Sequence, residues 1–120
     1  MTAEDTLPEV EFTPEFKRNL RSLAKKYRRI RSDIQPVIEQ VQHGDFLGDQ
    51  IPKTGEYTLF KVRVKNSDLR KGKSAGYRLI YSVQSETKII LITIYSKTEQ
   101  ADISPAQIRR IVNRHTGRDD

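Results

Sequence analysis

The side chains of this sequence best suited to chemistry are basic residues at every second position of a predicted strand. Lys61, Arg63 and Lys65 alternate with apolar residues. Because successive side chains of a strand point to opposite faces, these three cations share one face, where they can bind an anion. The candidates on this strand and the next two predicted strands are Lys61, Arg63, Lys65, Arg78 and Tyr95, and Lys97 follows just past the last of them.

A basic connection, residues 66–76, joins the first two of these strands and contains Arg70, Lys71 and Lys73. Flexible basic loops give salt-dependent, sequence-independent affinity for phosphates. The loop is therefore either a mobile clamp on nucleic-acid phosphates or an ordinary soluble loop. The sequence leaves both interpretations open.

Strands of suitable length must carry these side chains. The pattern predicts strands at residues 10–12, 57–65, 77–83 and 88–95, the last with an almost continuous apolar run that is typical of a central strand buried on both faces. The turn at residues 84–87 predicts a hairpin between the last two strands. The strand side chains predicted to face the core are Phe60, Val62, Val64, Ile90, Ile92 and Ile94.

Helices must cover the sheet. Thr13, Pro14 and Glu15 form a helix start, and the apolar stripe that follows continues to Ile30. The pattern predicts a second helix capped by Ser32 or Asp33, which would place Pro36 in its first turn.

This second helix should end near Gly44, pack against the first as an antiparallel hairpin, and lead into a loop at residues 44–55. A last helix begins at Ser104. The prediction is an α+β fold in which a short N-terminal strand and a helical hairpin pack on a small, twisted, mostly antiparallel sheet, with a C-terminal helix.

Composition limits the possible functions. A chain of 120 residues with 35% hydrophobic and 32% charged residues predicts one globular domain, residues 1–120, with a single core and a flexible terminus at residues 1–8. The net charge of +6 and the pI near 9.7 favour nucleic acid, membrane headgroups or an acidic protein as partner. Eight of the Lys and Arg residues lie in residues 17–31 and eight in residues 53–78, which predicts two basic surfaces.

The residue types also exclude several classes of site. The chain has no Cys, so it has neither disulfides nor thiolate zinc sites, as is usual in a reducing compartment. His43 and His115 have no ligand at metal-binding spacing, and we expect no metal or cofactor. The acidic N-terminus lacks the features of a signal peptide, and no apolar run reaches membrane-spanning length, so we expect a cytoplasmic protein without a membrane partner.

Three segments resemble a known group of proteins. Residues 71–81, KGKSAGYRLIY, are similar to the RelE/HigB branch of the RelE/ParE toxin superfamily, in which a Gly-aromatic-Arg-aliphatic-aliphatic-Tyr strand follows a basic loop. Residues 59–64, LFKVRV, resemble the alternating basic strand of that group. Residues 91–99, LITIYSKTE, resemble its last strand, which often ends in Tyr-x-Lys. The order of elements is similar over residues 12–112.

The resemblance implies a RelE-like fold and the toxin of a type II toxin–antitoxin module, which enters the ribosomal A site and cleaves mRNA without a metal. The implied partners are a cognate antitoxin, the ribosome and mRNA. RelE has a tyrosine where counting gives Ile103 here, which leaves the acid for the leaving group unassigned. By position, the resemblance implies catalytic roles for Lys61, Arg63, Arg78 and Lys97, and substrate binding by Lys65, Arg70, Lys71, Lys73 and Tyr95.

Cleavage of this kind needs a base for the 2′-hydroxyl, cations for the developing charge, and an acid for the 5′-oxygen. Arginine can supply only the cation, whereas a lysine crowded by like charges is more easily deprotonated. Our hypothesis from the sequence has Lys61 as base, Arg63 and Arg78 as phosphate stabilisers, and Lys97 or Tyr95 as acid or substrate orienter. Glu99 and Asp102 are candidates to orient Lys97, with surface ion pairing as the alternative.

Three alternatives stay open at this level. The alternating cations are also compatible with an ordinary solvated strand face. A ParE-like toxin would share the fold but poison DNA gyrase by binding it, without RNA chemistry. An inactive homologue would only bind an antitoxin or RNA.

Overall fold

The computed structural model describes residues 7–52, 54–69 and 75–118, and the predicted binding residues Arg70, Lys71 and Lys73 lie outside these ranges. It confirms the α+β class: three helices pack on one five-stranded mixed sheet. The elements in chain order are β1 (Glu9–Phe12), α1 (Pro14–Lys26), α2 (Ile30–Gln42), β2 (Asp49–Gln50), β3 (Leu59–Val64), β4 (Tyr77–Ser85), β5 (Lys88–Ser96) and α3 (Pro105–Thr116).

The sheet has the strand order β1-β5-β4-β3-β2. All neighbours are antiparallel except β1, which pairs in parallel with β5. β5 lies between two strands and is buried on both faces, as its continuous apolar run predicted. This topology brings the first residues of β4 beside the last residues of β5 and β3.

The sheet separates two apolar clusters, where the sequence suggested a single core. The helical hairpin covers one face, on which Phe16 and Ile34 pack with Leu79. α3 covers the other face, which we call the α3 face, on which Ile108 packs with Ile80. Helices on both sides of a sheet require this arrangement, because alternate side chains of each strand point to opposite layers.

The hairpin turns earlier than predicted. α1 ends at Lys26 and α2 begins at Ile30, so the predictions of a first helix that reaches Ile30 and of a cap at Ser32 or Asp33 are wrong. Tyr27 leaves the helix to pack edge-on against Tyr77, with 5.9 Å between the ring centroids, and Ile30 is fully buried. Burial of both side chains decides where the chain turns.

Two further local predictions fail. Pro36 lies inside α2 rather than in its first turn, since the helix starts several residues before the predicted cap. The predicted loop at residues 44–55 contains β2, which pairs with Phe60 and Lys61 of β3. A strand of two residues shows no periodicity, so the sequence carries no signal for it.

The ends of α1 and α3 agree with the sequence. The Thr13 hydroxyl accepts a hydrogen bond from the Phe16 N–H at the start of α1. Ser104 and Gln107 form a capping box at the start of α3. The segment between β5 and α3 leads into this capped start and contacts β3 and β5 through Asp102, which bonds to Lys61 and Tyr95.

A bulge in β5 changes which side chains share a face. Ile80 pairs with Thr93 and Tyr81 with Leu91, so Ile92 is the extra residue. Ile92 therefore packs on the α3 face and Ile94 on the helical-hairpin face, and the predicted grouping of Ile90, Ile92 and Ile94 on one face is wrong. The bulge also directs Tyr95 to the α3 face.

Candidate active site

Three side chains form a row across the sheet on the α3 face. In the strand register Arg63 of β3 pairs with Arg78 of β4, and Arg78 pairs with Tyr95 of β5. Side chains at paired positions on neighbouring strands are about 4.5 to 5.5 Å apart at Cβ. We call Arg63, Arg78 and Tyr95 the cross-strand row.

Arg78 is the most unusual member of this row because it is a buried cation, with 6% of its surface exposed. Its Nη1 donates to the Tyr77 carbonyl over 3.3 Å. Burial lowers the pKa of Arg78 from its ordinary value, and the neighbouring charge of Arg63 lowers it further. The exposed side chain of Arg63 therefore lies beside the buried side chain of Arg78 at a paired position of the sheet.

Asp102 joins the row to Lys61. Its Oδ1 accepts hydrogen bonds from the Ile103 N–H at 2.8 Å, the Lys61 ammonium at 3.1 Å and the Tyr95 hydroxyl at 3.3 Å. The Ile103 N–H and Lys61 lower the pKa of Asp102 below its usual value, despite an opposing effect of burial. Burial, followed by the charge of Asp102, raises the pKa of Tyr95 to about 12.

One comparison with known proteins identifies the family. The family model described as the ParE toxin of the type II toxin–antitoxin system parDE matches residues 10–101. The chain belongs to the ParE toxin family. It is thus a toxin of the type II toxin–antitoxin class, with a cognate antitoxin as partner. The match supports the superfamily that the sequence resembles, but it names the ParE family rather than the RelE/HigB branch.

In this ParE-family toxin the matched range includes the cross-strand row, Lys61 and Lys97, and it ends one residue before Asp102. The structure brings Lys61, Arg63, Arg78 and Tyr95 together on the α3 face. Lys97 and Lys65 follow the ends of β5 and β3 and are exposed. The Lys97 ammonium donates to the Ala101 carbonyl, so its described bond is to the segment before α3 rather than to a carboxylate.

The surroundings of Lys61 differ from the sequence hypothesis. That hypothesis needed crowding by other cations, but the charged group bonded to Lys61 is the Asp102 carboxylate. Glu99, the other suggested partner of Lys97, instead forms an ion pair with Lys26 of α1 at 3.4 Å. The chemical argument for a neutral lysine base therefore has no support in the geometry.

Asp102 is the functional candidate whose role the sequence did not reveal. It lies in an aperiodic segment, 41 residues from Lys61, and no short motif links the two. The sequence pointed to Asp102 only as a partner for Lys97. The pairing with Lys61 depends on where the capped start of α3 holds this segment, which spacing alone does not give.

Described residues of the two predicted basic stretches lie close together near the end of β3. Asp68, beyond β3, accepts a hydrogen bond from the Arg29 N–H at 3.0 Å. Asp33 of α2 accepts one from the Ser67 N–H at 2.9 Å. The exposed cations of the α1–α2 turn therefore lie beside the end of the strand that carries Arg63 and Lys65. Those cations are Lys25, Lys26, Arg28, Arg29 and Arg31.

The described parts of the toxin contain neither a metal-binding cluster nor a membrane-spanning helix. Residues 7–52, 54–69 and 75–118 contain no group of three or more His, Asp or Glu side chains that could hold a metal ion. Within the same ranges, each helix is too short or too polar to cross a membrane.

Proposed function

We propose that this toxin cleaves mRNA on the ribosome, by attack of a ribose 2′-hydroxyl on the adjacent phosphate. The observation that carries the proposal is the side-by-side pairing of Arg63 with the buried Arg78. Burial, followed by the charge of Arg63, disfavours the charged form of Arg78 and lowers its pKa. Such a pair is well suited to bind the extra negative charge that develops on phosphorus in the transition state.

The proposed roles follow from charge and position. Arg63 and Arg78 contact the non-bridging phosphate oxygens, because a guanidinium stays protonated and can donate two bonds in parallel. Lys61 adds a third positive charge to the catalytic group, and Lys97 a fourth at the end of β5. The exposed Lys65 and the loop residues Arg70, Lys71 and Lys73 would hold neighbouring phosphates of the chain.

In this proposal the hydroxyl of Tyr95, rather than its ring, takes part in the site. Only 5% of its surface is exposed, and its ring packs in the apolar cluster on the α3 face. An RNA nucleobase could stack on the Tyr95 ring only if one face of that ring were exposed. The hydroxyl, which donates to Asp102, is the part that approaches the site.

A second candidate function has its own support. The matched family is named for ParE, the toxin of parDE, and a ParE-like toxin acts by poisoning DNA gyrase. That activity needs a binding surface and no RNA chemistry. Both functions are compatible with this fold. An experiment must therefore distinguish them by showing whether mRNA or DNA is cut.

Induced expression followed by mapping of mRNA 5′ ends tests the proposal. We expect new codon-associated ends with the wild type, and their loss with Arg78→Met. Arg110→Gln is the matched control, because it removes an exposed cation from α3. Breaks in DNA with intact mRNA would support gyrase poisoning instead, and the absence of any growth effect would support an inactive homologue.

A further inference from the structure

We propose that Asp102 is the base that accepts the 2′-hydroxyl proton, with Lys61 as the proton donor to the leaving oxygen. This inference rests on the proposed RNA cleavage. It reverses the role that the sequence suggested for Lys61 and assigns a carboxylate that lies beyond the residues matched to the family.

The charge states of the described groups support this assignment. Arg63 and Arg78 keep their protons and cannot act as bases. The pKa of Tyr95 is about 12, so its hydroxyl is protonated at neutral pH. The pKa of Asp102 is lowered, so the carboxylate is ionised. Within this described cluster, Asp102 is therefore the group in proton-accepting form.

The geometry leaves one oxygen of Asp102 available. All three donors, the Ile103 N–H, Lys61 and Tyr95, reach Oδ1. Among the described residues, Oδ2 has no hydrogen-bond donor, and the side chain is 64% exposed. The three bonds to Oδ1 fix the carboxylate, and Oδ2 can accept a hydrogen bond from a substrate hydroxyl.

The ion pair of Asp102 and Lys61 can supply both proton transfers of the reaction. The 2′-oxygen forms a bond to phosphorus as its proton passes to Asp102, and the bond from phosphorus to the 5′-oxygen breaks as Lys61 donates a proton to that oxygen. The products are a 2′,3′-cyclic phosphate and a 5′-hydroxyl. Asp102 then returns its proton to Lys61, which lies 3.1 Å away in the free protein.

Substrate binding would also strengthen the base. A phosphate attracts the Lys61 ammonium away from Asp102, and loss of that contact raises the pKa of the carboxyl. Besides Lys61, Tyr95 of β5 bonds to Asp102 directly. Arg78 of β4 pairs with Tyr95, and Lys97, just after β5, donates to the carbonyl of Ala101, the residue before Asp102. Tyr95 acts as a positioning residue, since its hydroxyl holds the carboxylate without reacting.

Single-turnover cleavage of a short mRNA on programmed ribosomes tests the assignment. We expect Asp102→Asn to slow cleavage by about 10²- to 10⁴-fold, the usual contribution of a general base. Ribosome binding should stay within about threefold of wild type, since the phosphate-binding cations are unchanged. Glu99→Gln is the matched control, because it removes one carboxylate from the same segment without touching the site.

Asparagine keeps an oxygen that can accept from Ile103, so the fold should be retained, and circular dichroism checks this. Cleavage by Asp102→Asn at the wild-type rate, or faster with tighter RNA binding, would overturn the assignment. The second result would make Asp102 only a counter-ion that the substrate displaces. A wild type that leaves the mRNA intact would overturn the proposed function itself, so the two failures are distinct.

The pH dependence of the wild type gives a test that needs no variant. With Asp102 as base and Lys61 as acid, the cleavage rate should be nearly constant from about pH 6 to about pH 8. A neutral Lys61 acting as base would instead make the rate rise by about tenfold per pH unit. That rise would overturn the assignment.

Discussion

At the scale of single residues, Arg78 links the fold to the proposed chemistry. Its guanidinium is buried beside Arg63, and both burial and that neighbour lower its pKa. A well-packed apolar residue at a buried charged position is often neutral or favourable for stability. We expect the buried cation at this position to serve the proposed chemistry.

We therefore expect Arg78→Met to leave the free energy of unfolding within about 1 kcal/mol of wild type or to raise it. The same variant should reduce RNA cleavage by about 10²- to 10³-fold, because one preorganised donor to the transition state is lost. Urea denaturation and single-turnover kinetics measure the two effects. A large loss of stability would show that Arg78 has a structural role instead.

The sequence predicted part of this site. Strand alternation was sufficient to place Lys61 and Arg63 on one face, because period-two patterning survives in any regular strand. It did not reveal that Arg78 is buried or that Lys61 pairs with Asp102. Burial depends on which parts of the α3 face the helix covers, and the Asp102 contact depends on a segment without periodicity.

At the scale of elements, the sequence predicted the major helices and strands. It failed where contacts between elements determine a local feature, such as the position of a turn or a bulge. The capping residues Thr13 and Ser104 could be predicted from the sequence, because each bonds to a backbone N–H three residues further along the chain. The bulge at Ile92 was not, because its cause lies in the register with β4. That bulge matters for the proposed site, since it directs Tyr95 to the α3 face, where its hydroxyl donates to Asp102.

The junction between β3 and β4 gives a prediction at this scale. A Cβ at Gly76 would overlap the Val64 carbonyl and crowd the Asn66 N–H, both of which are backbone groups. We expect Gly76→Ala to lower the free energy of unfolding by about 1 to 3 kcal/mol, as overpacking usually does. Thermal and urea denaturation test this.

Gly44→Ala is the comparison for Gly76→Ala. No atom lies within 4 Å of a Cβ there, and only the positive φ of 96° disfavours alanine. Its cost should be about 1 kcal/mol, from left-handed backbone strain alone. Equal effects of the two substitutions would contradict the steric explanation.

The contact between β1 and α3 gives a pH-dependent prediction. Glu11 accepts a hydrogen bond from His115 at 3.0 Å and pairs with Lys88 at 3.2 Å, and these two partners lower its pKa. A lowered carboxyl pKa stabilises the fold above the pKa of the unfolded chain, and this contribution is lost as the pH falls through the folded value.

Wild type should therefore lose more stability than Glu11→Gln between about pH 5 and about pH 3. Urea denaturation at several pH values measures the difference. Glu86→Gln, at an exposed turn position, is the control and should follow wild type. A difference between wild type and Glu11→Gln that does not change with pH would contradict this account.

At the scale of the whole molecule, the exposed cations of the α1–α2 turn lie beside the end of β3. Two backbone contacts, Arg29 with Asp68 and Ser67 with Asp33, join these regions. The two basic stretches lie far apart in the sequence, and only the fold shows that described residues of both are adjacent. A polyanion that crosses the cross-strand row could therefore also contact the turn.

This arrangement predicts salt-dependent binding. Replacement of Arg28 or Arg31 by Gln should weaken ribosome or RNA binding and reduce the slope of log affinity against log salt by about 1 for each phosphate contact removed. The cleavage rate at saturation should not change, because these residues lie away from the row. Equilibrium binding across a salt series measures the slope, and Arg110→Gln is the control.

The most direct test of RNA cleavage is the chemistry of the new ends. Purified toxin should cut an mRNA on programmed ribosomes and leave a 5′-hydroxyl and a 2′,3′-cyclic phosphate, and Arg78→Met should form these ends about 10²- to 10³-fold more slowly. Those ends are the products of attack by the 2′-hydroxyl. Intact mRNA with the wild type, together with gyrase-dependent DNA breaks, would contradict the proposed function.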